Sequence, residues 1–151
     1  ITIINRNSRN LKKFLDDSEA MDNGNNQYST MIQGLAENDI DIIEHIKTAD
    51  LIINTTPVGM NNHKRNNNLS PTMPLGNEVW NYLKPTSITY DLIYTPRPTA
   101  WLQKCIEQGC RAIDGLEMLV EQGAASLRLW SGIEDIPVET MKNAIDNHLN
   151  R

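Results

Sequence analysis

From Asp50 to Met60 the chain reads Asp-Leu-Ile-Ile-Asn-Thr-Thr-Pro-Val-Gly-Met, and no other stretch restricts the fold as much. Leu51, Ile52 and Ile53 form a short apolar run between polar residues, the pattern of a parallel strand buried on both faces. Polarity then reverses within one residue, so Asn54, Thr55 and Thr56 bring an amide and two hydroxyls to the strand's carboxyl end. Pro57 cannot donate a further strand hydrogen bond, and Gly59 accepts a positive φ, so the chain must turn there. In open α/β sheets the carboxyl edge is where ligands bind. The plainer alternative is an ordinary exit from strand to loop.

The same design recurs at Ile88-Thr-Tyr-Asp-Leu-Ile-Tyr-Thr-Pro96, where a β-prone run ends in a carboxylate, a phenol and a proline. Around these two stretches, strand and helix signals alternate. Ile1–Asn5 reads as a strand running into the polar cluster Asn5-Arg6-Asn7-Ser8-Arg9. A helix over 10–17 carries Leu11, Phe14 and Leu15, a loop follows over 18–29, and a strand is expected over 30–33. The next helix, 39–47, turns Ile42, Ile43 and Ile46 inward. A surface loop covers 61–74, and Val79, Trp80 and Leu83 are apolar points in a connecting segment. Strand 86–91, a helix over 98–108 stopped by Gly109, and strand 111–114 come next. Helix 115–130 places Met118, Leu119, Gln122, Ala125, Ser126 and Leu129 on one face, predicting an amide within a buried stripe. Gly132 ends it, and Pro137 opens a last helix with Val138, Met141, Ile145 and Leu149 on its apolar face. This alternation predicts an α/β fold built on a doubly wound parallel sheet.

At 151 residues the chain suffices for one domain with a core. The net charge of −5 and pI near 5.1 argue against general nucleic-acid binding. A mean hydropathy of −0.47, with no run near the roughly 18 apolar residues of a membrane helix, argues against a membrane role. Cys105 and Cys110 read as reduced packing residues, and a cytoplasmic setting is expected. His45, His63 and His148 are scattered without partners at metal-ligand spacing, so no metal is expected.

Taken in order, Asn-Arg-Asn at 5–7, Asn-Thr-Thr-Pro-Val-Gly-Met at 54–60, Asp-Leu-Ile-Tyr-Thr-Pro at 91–96, Thr99 and the helix Gly115…Gln122 resemble the cofactor-binding part of the shikimate dehydrogenases. The resemblance implies a Rossmann-like NADP-binding domain and NADPH-dependent reduction of 3-dehydroshikimate to shikimate. It gives Asn5, Arg6, Asn7 and Arg9 to the adenosine 2′-phosphate. A cation with no carboxylate at the end of that strand favours NADP over NAD. Arg9 stands one residue before the family's second basic position, which is Asn10 here. Thr55 and Thr56 are expected to line the cofactor cleft, Leu92 to meet the nicotinamide through its backbone, and Gly115 to permit close approach there. Tyr94 and Gln122 are expected to reach the substrate. A homodimer of the full-length enzyme is a further expectation.

No G-x-G-x-x-G occurs in the sequence, so the first strand and glycine-rich turn of such a domain are expected to lie elsewhere. The family's catalytic lysine and aspartate belong to a substrate domain likewise expected upstream of Ile1. No catalytic residue is therefore assigned in residues 1–151, which alone are expected to be inactive. The missing strand should leave Ile1–Asn5 and Leu51–Asn54 with exposed apolar faces and unpaired edges. A quinate/shikimate dehydrogenase, a non-catalytic nucleotide-binding module, and a short structural protein are the alternatives.

Overall fold

The computed structural model describes residues 1–21, 31–60 and 73–149. The loop expected over 61–74 falls mostly outside these residues, as do His63, Thr30 and most of the loop expected after residue 18. The chain divides into two compact units, Ile1–Ala49 and Asp50–Arg151.

The first unit is a parallel pair of strands with two helices. Strand β1 (Thr2–Asn5) leads into helix α1 (Ser8–Met21), then strand β2 (Gln33–Ala36) and helix α2 (Ile42–Thr48). Thr2 lies opposite Gln33 and Asn5 opposite Ala36. Leu11, Leu35, Ile42 and Ile46 form its buried core. Helix α1 runs past the expected end at residue 17. The Ser18 hydroxyl donates to the Phe14 carbonyl at 2.7 Å, so a polar residue that reads as loop bonds back onto the preceding helical turn. Strand β2 begins where the expected strand ends. The apolar residues that suggested the earlier start, Met31 and Ile32, are exposed, and Leu35 is the side chain that the sheet buries.

In the second unit, strands β3 (Leu51–Asn54), β4 (Ile88–Asp91) and β5 (Arg111–Ile113) form a parallel sheet in that order. Central strand β4 buries Thr89 and Asp91 completely. Within the expected connecting segment a 3-10 helix (Asn77–Tyr82) seats Trp80 in the core. Helices α3 (Ala100–Glu107), α4 (Leu116–Ser131) and α5 (Val138–Leu149) complete the unit. Trp80 and Trp101 meet with ring centroids 5.4 Å apart and planes tilted by 59°. Leu83, Ile93, Leu102, Cys105, Leu116, Val120 and Ala124 are also buried apolar residues of this unit. Gly132 closes α4 in the left-handed region at φ 69°, its N–H donating to the Arg128 carbonyl, which is the stop the glycine signalled.

Among the described residues strand β3 is the edge of its sheet, hydrogen-bonded to β4 alone, with Leu51 54% and Ile53 47% exposed. The enclosure on both faces that its apolar run suggests is absent, whereas the exposed apolar face and unpaired edge expected at Leu51–Asn54 without a first strand beside it are present. A second expectation of burial is corrected. Helix α4 buries Leu116, Val120 and Ala124, whereas Gln122 is exposed and Leu129 is 82% exposed. Both sets of residues recur at helical spacing, and periodicity cannot say which stripe faces the sheet.

The tryptophan pair anchors the second unit. Trp101→Ala should cost about 3–5 kcal/mol, the usual result of emptying a large aromatic site. Urea unfolding of the full-length protein measures this; a change below about 1 kcal/mol would show that the site collapses freely.

Candidate functional site

The carboxyl ends of β3 and β4 are tied by one buried polar network. Asn54 and Asp91 close the two strands in register, and each is almost wholly buried. The Asn54 amide donates to Asp91 Oδ1 at 3.0 Å, and the Ile93 N–H donates to the same oxygen at 3.1 Å. Asp91 Oδ2 accepts the Thr99 hydroxyl at 2.7 Å. Thr99 is itself the N-cap of α3 and accepts from the Leu102 N–H at 3.2 Å. On the other side, Asn54 Oδ1 accepts the Thr56 N–H at 3.0 Å and the Thr56 hydroxyl at 2.7 Å. Strand ends, the Thr55–Val58 turn and the start of α3 are thus fixed together.

Burial pushes the Asp91 pKa up, and the hydrogen bonds from Thr99, Ile93 and Asn54 pull against it without prevailing. Its place is under the site and not on its surface. The exposed chemistry lies just beyond: Thr55 and Thr56 are exposed, and Leu92 and Tyr94 half-buried. The Leu92 N–H donates to the Asn54 carbonyl at 3.1 Å. Gly115 is buried against the Leu92 carbonyl, where any Cβ would overlap it, and its N–H donates to Ile93 O at 3.1 Å. Only glycine fits this approach. Thr55, Thr56, Leu92, Tyr94 and Gly115 therefore all sit at the carboxyl ends of β3–β5. Gln122 stands apart on α4 as an exposed side chain, so the expected buried amide is corrected.

In the first unit, Asn5 and Asn7 have structural work. Asn5 Oδ1 accepts the Asn7 N–H at 2.8 Å, and Asn7 Oδ1 accepts the Asn10 N–H at 3.1 Å, capping α1. Arg6 and Arg9 are exposed beside this helix start, where backbone N–H groups favour an anion.

Asn54, Asp91 and Thr99 stand within the sequence motifs, but their structural role is visible only in the fold. The findable signal was Thr99, a capping residue directly before an apolar helical run. The thiols offer no chemistry: Cys105 and Cys110 are free and buried, and burial pushes Cys105 to about 12. Among the described residues no cluster could hold a metal ion, and no helix is long and apolar enough to cross a membrane.

Thr99→Val removes a donor from Asp91 and the cap from α3, and should cost about 1–3 kcal/mol, while Thr99→Ser keeps both bonds. Because the Asp91 pKa is raised in the fold, its contribution to stability is full below the ordinary value of 3.8 and is lost as pH rises through the higher folded value. The stability of the parent relative to Asp91→Asn should therefore fall as pH rises across that window. Unfolding curves from acid to neutral pH read it; a constant difference would show an unshifted carboxyl.

A family model described as the shikimate 5′-dehydrogenase C-terminal domain matches residues 115–145. A shikimate dehydrogenase (NADP(+)) of Prochlorococcus marinus strain AS9601 is 42% identical over 149 residues, covering 99% of this chain and 48% of that protein. One from Synechocystis sp. is 47% identical over 106 residues, 70% of this chain and 34% of its own length. Among solved structures, a shikimate 5-dehydrogenase from Listeria monocytogenes, in complex with shikimate and NAD, superposes with a TM-score of 0.76. It is 25% identical and covers 96% of this chain and 46% of that one. A shikimate dehydrogenase in complex with NADP+ gives a TM-score of 0.71 at 27% identity, over 100% of this chain and 47% of the other. The chain spans about half the length of the curated relatives it matches along nearly all of its own. By sequence and by fold, the chain is similar to about half of a shikimate dehydrogenase.

Proposed function

We propose that the chain is the C-terminal, NADP-binding part of an enzyme that reduces 3-dehydroshikimate to shikimate with NADPH, in aromatic amino acid biosynthesis. The observation that carries this reading is the match over 149 residues, at 37–42% identity, to relatives named shikimate dehydrogenase (NADP(+)). The donor set supports the cofactor. Arg6 and Arg9 are exposed cations at the end of a parallel strand, and the strand's closing residue is Asn5 and not an acid. With Asn5 and Asn7 holding the turn, Arg6 and Arg9 would hold the 2′-phosphate.

In the second unit, Thr55 and Thr56 would line the cofactor cleft, and the Leu92 backbone with Gly115 would receive the nicotinamide. When bound, NADPH supplies the reducing hydride. Tyr94 and Gln122 would hold substrate hydroxyls, and the exposure of Gln122 leaves its amide free of the core for that purpose. Proton transfer belongs to residues outside this chain. The full-length enzyme is read as cytoplasmic and homodimeric.

Three substitutions in the full-length enzyme test these assignments. Arg6→Ala should cost about 1.5–3 kcal/mol of NADPH binding, seen as a raised NADPH KM with NADH nearly unchanged. Equal effects on both cofactors would remove Arg6 from the phosphate site. Tyr94→Phe and Gln122→Ala should lower shikimate turnover with NADP+ affinity nearly intact. Loss of cofactor binding in either variant would move that residue out of the substrate site.

A further inference from the structure

Arg97 lies in the segment between β4 and α3, flanked by Pro96 and Pro98, whose rings lock φ and stiffen the chain on both sides. Its guanidinium donates in two directions. Nε reaches Asp114 Oδ2 at 2.6 Å, and Nη1 reaches Asp146 Oδ1 on α5 at 2.8 Å. The other oxygen of Asp114 accepts the Leu116 N–H at 3.0 Å, in the first turn of α4. Asp114 therefore joins Arg97 to the start of the helix that Gly115 opens. The same segment is pinned there a second time by the bond from Gly115 N–H to Ile93 O at 3.1 Å. Tyr94 lies between the two pins, one residue after Ile93 and three before Arg97.

We propose that Arg97 is a positioning residue, which together with the Ile93–Gly115 bond brackets Tyr94 and fixes how far its hydroxyl reaches. This rests on the reading of Tyr94 as a substrate contact. The two arms differ in purpose. The Asp114 arm holds the tyrosine segment to α4, and the Asp146 arm anchors α5. An exposed ion pair contributes little by itself. Here the guanidinium and both carboxylates are partly covered, and the fork fixes direction as well as charge.

In the full-length enzyme, assayed well below its melting temperature, Arg97→Ala and Asp114→Asn should lower kcat/KM for shikimate roughly tenfold to a hundredfold, as a displaced contact does. NADP+ affinity should stay within about twofold, because coupling confined to the tyrosine segment leaves distant contacts additive. Arg97→Lys, which reaches only one carboxylate at a time, should recover part of the loss. Asp146→Asn should keep near-parental activity while hydrogen exchange in α5 rises. In a Tyr94→Phe background, Arg97→Ala should add less than about threefold, since the two residues act through one contact. Fully multiplicative losses, unchanged kcat/KM, or equal effects of Asp114→Asn and Asp146→Asn would overturn the proposal. Hydrogen exchange at the first turn of α4 separates the outcomes. It should rise in Arg97→Ala and Asp114→Asn, and no rise overturns the clamp. A parent enzyme inactive on shikimate overturns the functional reading and the role given to Tyr94.

Discussion

A carboxylate buried at the end of the central strand is the constraint on which the second unit depends. Asp91 has no cation beside it among the described residues, so neutral donors must satisfy it. Those donors come from three places: the end of β3, the backbone beyond β4 and the cap of α3. Removing one does not merely delete a bond, because the remaining partners stay buried with their capacity unmet. The network thus specifies one arrangement of the strand ends and penalises the others.

The residues that carry the proposed chemistry inherit their positions from it. The Asn54 carbonyl receives the Leu92 N–H, the Leu92 carbonyl rests on Gly115, and Gly115 opens α4. Arg97 and Asp114 tie the same two segments again farther along. A rigid lower tier and a polar upper tier divide the labour between stability and recognition, as expected for a site at the carboxyl edge of a parallel sheet.

Much of this was legible because the signals were local. Strand β3, helix α3 with its glycine stop, and helix α4 with its caps follow from apolar periodicity and punctuation within a few residues. Family likeness expects Gly115 to admit the nicotinamide; the structure shows a different constraint there, the packing of Gly115 on the Leu92 carbonyl. Less legible was anything set by packing from outside the segment. The run of Leu51 and Ile53 reads as core by itself, and their open position at a sheet edge follows only from the expectation of a strand missing beside them, while the stripe holding Gln122 satisfies the helical period as well as the stripe that is buried. The roles of Asn54, Asp91 and Thr99 join residues far apart in sequence, which no window of periodicity can see.

The three tryptophans divide the second unit optically. Trp80 and Trp101 are buried to 2% and 1% exposure with their rings in contact, whereas Trp130, near the end of α4, is 78% exposed. Emission from the first two reports the buried core, at a separation where excitation passes readily between indoles. Trp130 emits from water and marks the open face of α4. One chain thus carries an internal and an external fluorophore, and a shift in either band says whether the core or the exposed end of α4 has moved.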